Sequence, residues 1–186
     1  MPVKSGPERW GDPGSYRQSW RHRSAIASDL VPGGVSVLEV GVGTGVFRDL
    51  VSGRTTYTGI DLEPLDAVTL KRDVDAEPLP GGQFDYAVAL GVFGYLKRPG
   101  AVAAKLCRAA EHIVVSYCCR PKDCDLATVL QQRRQRGWLN HFDAAQFLQL
   151  FECQGFVLTS TTRLTWTEEV EESLFLVSAK PAAVDE

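Results

Sequence analysis

Residues 37–45 read VLEVGVGTG, a short apolar run that ends in three alternating glycines. The run from Val35 to Val40 predicts a buried strand, and residues 45–51 predict the helix that follows it. Glycines at such a turn let the backbone bend sharply and approach a ligand with no Cβ in the way. The helix directs free N–H groups and the positive end of its dipole to the same place. The stretch therefore predicts a ligand-binding turn at the carboxyl end of a strand.

Two carboxylates flank this glycine turn. Glu39 precedes its first glycine, and Asp61 ends a second predicted strand, residues 56–61, about 20 residues past the turn. An acidic residue at that distance is well placed to take both hydroxyls of a ribose. Glu39 suits a ligand that carries an ammonium and a sulfonium better than one that carries a pyrophosphate. Val46 stands where the dinucleotide-binding fingerprint has glycine or alanine, which disfavours a nicotinamide-dependent oxidoreductase.

Strand and helix patterns alternate along the rest of the chain. Further strands are predicted over residues 67–72, 84–90, 112–117, 156–164 and 173–179, and helices over residues 20–30, 101–110, 127–136 and 144–154. The alternation predicts an α/β fold with a mostly parallel sheet covered on both faces, closed by an antiparallel hairpin of the last two strands. Residues 62–66 are too few for a helical crossover between the second and third strands. Either the third strand is rudimentary and reached by an extended loop, or its assignment is wrong.

The bulk composition fits one domain. The chain has 186 residues, of which 44% are hydrophobic and 23% charged. We expect a flexible N-terminus over residues 1–15, a single domain over residues 16–180 and a flexible tail over residues 181–186. A net charge of −3 makes a nucleic acid an unfavourable partner, and no apolar run approaches a membrane span.

The five cysteines bear on location and on metal binding. With no export signal in the sequence, they indicate reduced thiols and a cytoplasmic protein. Cys118, Cys119 and Cys124 form a cluster, but it lacks the paired spacing of a zinc site. No metal is therefore predicted.

These motifs resemble those of the class I S-adenosylmethionine-dependent methyltransferases. VLEVGVGTG is similar to that family's first motif and YTGIDLEP (residues 57–64) to its ribose-binding strand. DVDAEPLPGGQFDYAVAL (residues 73–90) is similar to its adenine turn and fourth strand, and GYLKRPG (residues 94–100) to the segment that commonly follows. The resemblance implies a Rossmann-like, doubly wound sheet of seven strands in the order 3-2-1-4-5-7-6. It also implies S-adenosylmethionine as the cofactor and a small-molecule methyl acceptor.

Carried over residue by residue, the resemblance implies a set of cofactor contacts. Those around the methionine part would be Glu39, Gly41, Gly43 and Gly45. Asp61 would hold the ribose and Leu62 would lie against the adenine. Leu90 and Gly91, at the tip of the fourth strand, would face the reactive methyl.

The adenine turn can be aligned in two ways, and both stay open. Matching Leu79 and Pro80 to the family pattern selects Asp75 and Ala76. Matching the spacing to Asp85 selects Asp73 and Val74 instead. Asp85 itself is expected to cap its strand.

Catalytic residues are only weakly indicated. Methyl transfer from a sulfonium requires mainly alignment of the acceptor and exclusion of water, with a general base only where the attacking atom starts protonated. His141, between the fifth strand and a helix, is the candidate base or acceptor contact. His22 is a weaker candidate in an N-terminal segment that could cover the cofactor with Tyr16 and Trp20. His112 is expected to be structural.

A basic stretch leads to the region of His141, and two readings of it stay open. Its members are Arg120, Lys122, Arg133, Arg134 and Arg136. A solvated helix face is the simpler interpretation, and a surface for an acidic acceptor is the sharper one. A homo-oligomer or a partner subunit could complete the acceptor pocket. The main alternative to an enzyme is a non-catalytic, methyltransferase-like binding or partner subunit.

Overall fold

The computed structural model describes residues 19–166 and 170–181. The N-terminus predicted over residues 1–15 lies outside the described residues, as does the predicted tail beyond Pro181. The strands are β1 (Ser36–Val40), β2 (Thr56–Asp61), β3 (Leu70–Lys71), β4 (Phe84–Leu90), β5 (Ala110–Cys119), β6 (Phe156–Trp166) and β7 (Glu171–Ala179). The helices are α1 (Ser19–Asp29), α2 (Val46–Val51), α3 (Pro99–Ala109), α4 (Leu126–Gln135) and α5 (Ala144–Glu152).

The seven strands form one sheet in the order β3-β2-β1-β4-β5-β7-β6. The strands from β3 to β5 in this order are parallel to one another, whereas β7 runs antiparallel to both β5 and β6. β6 and β7 form a hairpin because only four residues separate them in the sequence, too few for a crossover helix. The predicted fold class and strand order are confirmed.

The third strand is rudimentary. Leu70 and Lys71 pair with Ile60 and Asp61, and no helix precedes them after β2. The connecting loop is held instead by Asp66, whose Oδ1 accepts the backbone N–H groups of residues 68 and 69 at 3.1 and 2.8 Å. The short spacing after β2 therefore indicated the extended loop correctly, while the predicted range of residues 67–72 was too long.

Both faces of the central strands are covered, as a parallel sheet requires. Val37 of β1 lies in a buried cluster with Ala27 of α1, on one face of the sheet. Leu38, the next residue, lies in the cluster of the other face with Leu106 of α3 and Phe147 of α5. Across the described parts of the chain, no helix is both long and apolar enough to cross a bilayer.

Phe147→Ala tests the larger of these clusters. The Phe147 side chain is 0% exposed, stacks on Tyr117 with ring centroids 4.4 Å apart and meets Phe93 edge-on at 5.3 Å. We expect the substitution to lower the free energy of unfolding by about 3–5 kcal/mol, because it leaves a cavity among aromatic rings. Urea unfolding measures the change, with Gln149→Ala on the exposed side of the same helix as the control. A loss below about 1 kcal/mol would contradict this packing.

Candidate functional site

The carboxyl ends of β1, β2 and β4 meet at one edge of the sheet, because these strands are parallel neighbours. The glycine turn leaves β1 at this edge, with φ of 81° at Gly41, 55° at Gly43 and 76° at Gly45. Such left-handed conformations disfavour any residue with a Cβ. The Gly41 N–H donates to the Ile60 carbonyl at 2.9 Å and ties the turn to β2. The predicted backbone turn is therefore present, and α2 begins directly after it.

Asp61 joins the end of β2 to the glycine turn. Its Oδ2 accepts the N–H of Gly43 at 2.8 Å, and its Oδ1 accepts the N–H of Glu63 at 3.0 Å. The residue is 8% exposed. Burial raises the pKa of Asp61, and its backbone hydrogen bonds oppose that shift. The carboxylate thus holds the turn in place.

Glu39 lies on the same face of the sheet as Asp61. It pairs in register with Gly59, and Tyr57, Gly59 and Asp61 share one face of β2 because they are two residues apart. The hydroxyl of Tyr57 donates to Oε2 of Glu39. A Cβ at Gly59 would lie 2.7 Å from that hydroxyl, so the glycine leaves room for the hydrogen bond. Glu39 is 2% exposed, and burial raises the pKa of its carboxyl to about 8.

A cation, Arg48 of α2, lies over the glycine turn. A Cβ at Gly45 would clash with its guanidinium. Arg48 Nη1 donates to Oδ2 of Asp66 at 2.5 Å, and this hydrogen bond lowers the pKa of Asp66 to about 2. The pair links α2 to the loop after β2.

A second cation, Arg23 of α1, covers the tip of β4. Arg23 Nη2 donates to the Leu90 carbonyl at 3.3 Å, and Nη1 donates to Oε1 of Glu172 at 3.0 Å. A Cβ at Gly91 would lie 2.7 Å from Nη1 of Arg23. The space beside Leu90 and Gly91, where the resemblance places the reactive methyl, is thus bordered by this ion pair.

The adenine turn lies beside the segment after β4. Both carboxylate oxygens of Asp75 accept backbone N–H groups, from Lys97 and Arg98, at 2.9 Å each. Asp73 accepts the N–H of Asp75 through Oδ1 at 2.9 Å. Val74 is buried, whereas Ala76 and the nearby Leu62 are exposed.

His141 lies against the basic stretch. Its Nδ1 accepts from Nε of Arg133 at 3.4 Å, and its carbonyl accepts from Nε of Arg120 at 3.4 Å. Burial, followed by the charges of Arg133 and Arg134, lowers the pKa of His141. The imidazole is therefore neutral near pH 7.

The simpler reading of the basic stretch, a solvated helix face, is right for only some of its members. Lys122 and Arg134 are exposed, as a solvated face requires. Arg133 is 0% exposed, because it faces the domain one helical turn after the buried Val129. Arg120 is partly buried and reaches Asp143 at 3.4 Å. Only part of the run is therefore a solvated surface.

The remaining candidates are Asp85, His112 and His22. The N–H and hydroxyl of Ser36 both donate to Asp85 at 2.7 Å, which holds the starts of β1 and β4 together as its capping prediction implied. His112 is hydrogen-bonded to Ser178 at 2.8 Å, which fits a structural role. His22 is exposed, and Tyr16 lies outside the described residues. Within residues 19–166 and 170–181, no three His, Cys, Asp or Glu side chains are grouped to hold a metal ion.

A family model described as a methyltransferase domain matches residues 15–161 of the chain. The chain belongs to this family. The predicted methyltransferase family is thereby confirmed.

Individual relatives of this methyltransferase domain agree with the family model. A phosphatidylethanolamine N-methyltransferase of Cereibacter sphaeroides is 33% identical over 129 residues, covering 59% of this chain and 63% of that protein. The chain thus spans less than two thirds of that relative. The 1,6-didemethyltoxoflavin N1-methyltransferase of Burkholderia thailandensis has a TM-score of 0.69 at 15% identity, covering 91% of this chain and 82% of that one. A second similar structure comes from the Haloferax volcanii complex between the Trm112 methyltransferase activator and a methyltransferase. Its TM-score is 0.70 at 14% identity, and the match covers 97% of this chain and 100% of that one. These two structures show the shared fold.

Sequence reasoning missed three side chains at this edge of the methyltransferase domain: Arg23, Arg48 and Tyr57. Tyr57 could have been found, because it lies on the Asp61 side of β2 and two residues before a glycine. Arg23 could not have been found from the sequence, because the Leu90 carbonyl that it contacts is 67 residues away along the chain.

Glu39→Gln tests the buried carboxyl through the pH dependence of stability. In the folded protein burial raises the pKa of Glu39 to about 8, whereas an unfolded glutamate has a pKa of about 4.3. Between these values the folded chain keeps a proton that the unfolded chain releases. The free energy of unfolding therefore falls as pH rises through this window, by at most about 1.4 kcal/mol per pH unit.

We expect Glu39→Gln to flatten this dependence, because the amide carries no titrating proton. Urea unfolding at pH 5, 6, 7 and 8 measures it, with the exposed Glu152→Gln as the control. A slope in Glu39→Gln equal to that of the wild type would show that Glu39 titrates normally.

Proposed function

We propose that this methyltransferase domain transfers a methyl group from S-adenosylmethionine to an oxygen, nitrogen or carbon atom of a small-molecule acceptor. The observation that carries the proposal is the pair of buried carboxylates, Glu39 and Asp61, on one face beside the glycine turn. Family membership supports it, and the Burkholderia neighbour was solved with S-adenosylhomocysteine. When bound, S-adenosylmethionine supplies a methyl group on a sulfonium, with its leaving group in place.

The residues at the ends of β2 and β4 fit the nucleoside. Each carboxylate oxygen of Asp61 accepts one backbone N–H and keeps capacity for one ribose hydroxyl. Leu62 offers an exposed apolar surface to the adenine ring. For the adenine edge the geometry favours Asp73 with Val74. Among the described residues, Oδ2 of Asp73 accepts no hydrogen bond, whereas both oxygens of Asp75 are engaged.

The charges at the edge fit a positively charged methionine part. Two cations border the proposed site, but Arg23 is paired with Glu172 and Arg48 with Asp66. Glu39 is left to face the ligand with its oxygens bound only by Tyr57 among the described residues. Burial raises the pKa of Glu39 although the charges of Arg48 and Arg23 oppose that shift, and the positive charges of an ammonium and a sulfonium beside it would lower the pKa as well. Gly41, Gly43 and Gly45 complete this part of the proposed site.

Alignment of the acceptor is the main catalytic task that we propose for the chain's own residues. The tip of β4, Leu90 and Gly91, would bring the acceptor to the methyl, and α1 would exclude water above it. We propose His141 as an acceptor contact rather than a base. The lone pair of its Nδ1 already accepts from Arg133, so Nε2 of the neutral ring carries a proton and can donate it in a hydrogen bond.

A nitrogen atom is the favoured acceptor among the three. The names of the Cereibacter relative and of the Burkholderia neighbour both specify methylation at nitrogen. An amine that is already deprotonated attacks without a base, which suits a site where His141 donates a hydrogen bond and its lone pair is engaged by Arg133.

A non-catalytic binding or partner subunit is the second candidate function. One observation favours it: Arg23 fills the space directly beside Gly91. The Haloferax neighbour was solved in a complex with an activator. In this alternative the carboxylates at the glycine turn would be structural, and the chain would not need to bind the nucleoside.

Asp61→Asn separates the two candidates. We expect the substitution to weaken S-adenosylhomocysteine binding at least about tenfold, because the amide loses the charge and one acceptor at the ribose. Isothermal titration calorimetry measures the affinity, with the exposed Asp123→Asn as the matched control. Equal affinities in the wild type and Asp61→Asn would remove Asp61 from the site. A wild type without measurable affinity would favour the non-catalytic subunit.

A further inference from the structure

Arg133 is a buried cation whose hydrogen-bond partners within the described part of the chain are neutral. The side chain points inward from α4 and is 0% exposed. Its Nη2 donates to the Cys118 carbonyl at 2.7 Å and to the Asn140 carbonyl and the Tyr117 hydroxyl at 3.3 Å each. Its Nε donates to His141 at 3.4 Å. Its Nη1 is buried and has no hydrogen-bond partner among the residues that the structure describes.

Three other arginines with little-exposed side chains are each paired with a carboxylate. The pairs are Arg23–Glu172 at 3.0 Å, Arg48–Asp66 at 2.5 Å and Arg120–Asp143 at 3.4 Å. Over the described ranges, no aspartate or glutamate forms such a pair with Arg133. Removing a guanidinium from water without an opposite charge is unfavourable. Arg133 is thus a site where an opposite charge from outside the chain would be stabilising.

A small cavity adjoins this guanidinium. Its volume is about 20 Å³, and its walls are Gly91, Gly94, Tyr117, Cys118, Arg133 and Trp138. This is room for about one water molecule or one oxygen atom of an anion. The Trp138 ring lies 4.6 Å from Cζ of Arg133 and covers one face of the guanidinium. Within the described residues, Nη1 is the guanidinium nitrogen that is left to donate to a ligand. Gly91 connects the cavity to the tip of β4.

We propose that Arg133 binds the carboxylate or phosphate group of an acidic methyl acceptor in this cavity. An oxygen of that group accepts from Nη1 and supplies the missing negative charge, and the rest of the acceptor extends past Gly91. The proposal rests on the proposed function, because Gly91 is where that function places the reactive methyl. It names the acceptor class: small molecules that carry one anionic group near the atom to be methylated.

Ligand-observed NMR titrations with benzoate, methyl phosphate and the neutral benzamide test this site. They use the full chain with and without S-adenosylhomocysteine. We expect at least one anion to bind the wild type, and Arg133→Met to weaken that anion at least about tenfold. Arg134→Met removes the same charge from the exposed neighbour on α4, and anion affinity should stay within about twofold.

The proposal is overturned if wild type and Arg133→Met bind both anions equally, or if benzamide binds as tightly as benzoate. If only benzoate binding depends on Arg133, the acceptor's anionic group is a carboxylate. If only methyl phosphate binding depends on Arg133, that group is a phosphate. Should Arg133→Met not fold, Arg133→Lys decides, because lysine keeps the charge but not the planar fork. At least about threefold weaker anion binding then supports the site, and unchanged binding overturns it.

S-adenosylhomocysteine affinity, measured on the same samples, separates the two claims. Cofactor binding without anion binding that depends on Arg133 contradicts the anion site alone. Anion binding that depends on Arg133, in a wild type that does not bind S-adenosylhomocysteine, supports the anion site and contradicts the proposed methyl transfer.

Discussion

The candidate site depends on one interaction, the hydrogen bond from the Gly43 N–H to the carboxylate of Asp61 at 2.8 Å. It joins the turn after β1 to the end of the neighbouring strand β2. The same carboxylate accepts from Glu63 and so fixes the start of the loop after β2. A buried carboxylate is tolerated here because backbone donors satisfy it. The turn, the strand end and the loop therefore form a rigid unit with its acidic side inward.

Charge is divided across this edge of the sheet. Glu39 of β1 and Asp61 of β2 flank the glycine turn, and the nearby cations Arg23 and Arg48 are paired with carboxylates of their own. Beyond the tip of β4, the unpaired group is a cation, Arg133. The proposed function and the proposed anion site use these two halves separately: the acidic half for a positively charged cofactor, and the basic half for an acidic acceptor.

Much of the fold could be predicted from the sequence, because local patterns decide it. Apolar runs alternating with helical periodicity predicted the sheet, and the five residues after β2 excluded a crossover helix. The predicted length of β3 was wrong: residues 67–70 are mostly apolar, but the exposed Val68 lies in the loop that Asp66 holds. The glycine turn and Asp61 could be found because they lie within one strand–turn–helix–strand segment.

The acceptor side could not be predicted in the same way. Arg23 reaches Leu90 and Glu172 across 67 and 149 residues, and no local pattern records such contacts. The run containing Arg133 has the composition of a solvated helix, and only the packing of α4 shows that one of its arginines faces inward. Charge patterns report which residues are present, whereas burial depends on neighbours contributed by distant strands.

The central claim is that Glu39 and Asp61 bind a positively charged nucleoside. Its most direct measurement is the proton release that accompanies S-adenosylmethionine binding at pH 7, from calorimetry in buffers of different ionisation enthalpy. A cation placed beside Glu39 lowers a pKa of about 8, so the wild type should release nearly one proton more than Glu39→Gln. Equal proton release by the two proteins would contradict the account.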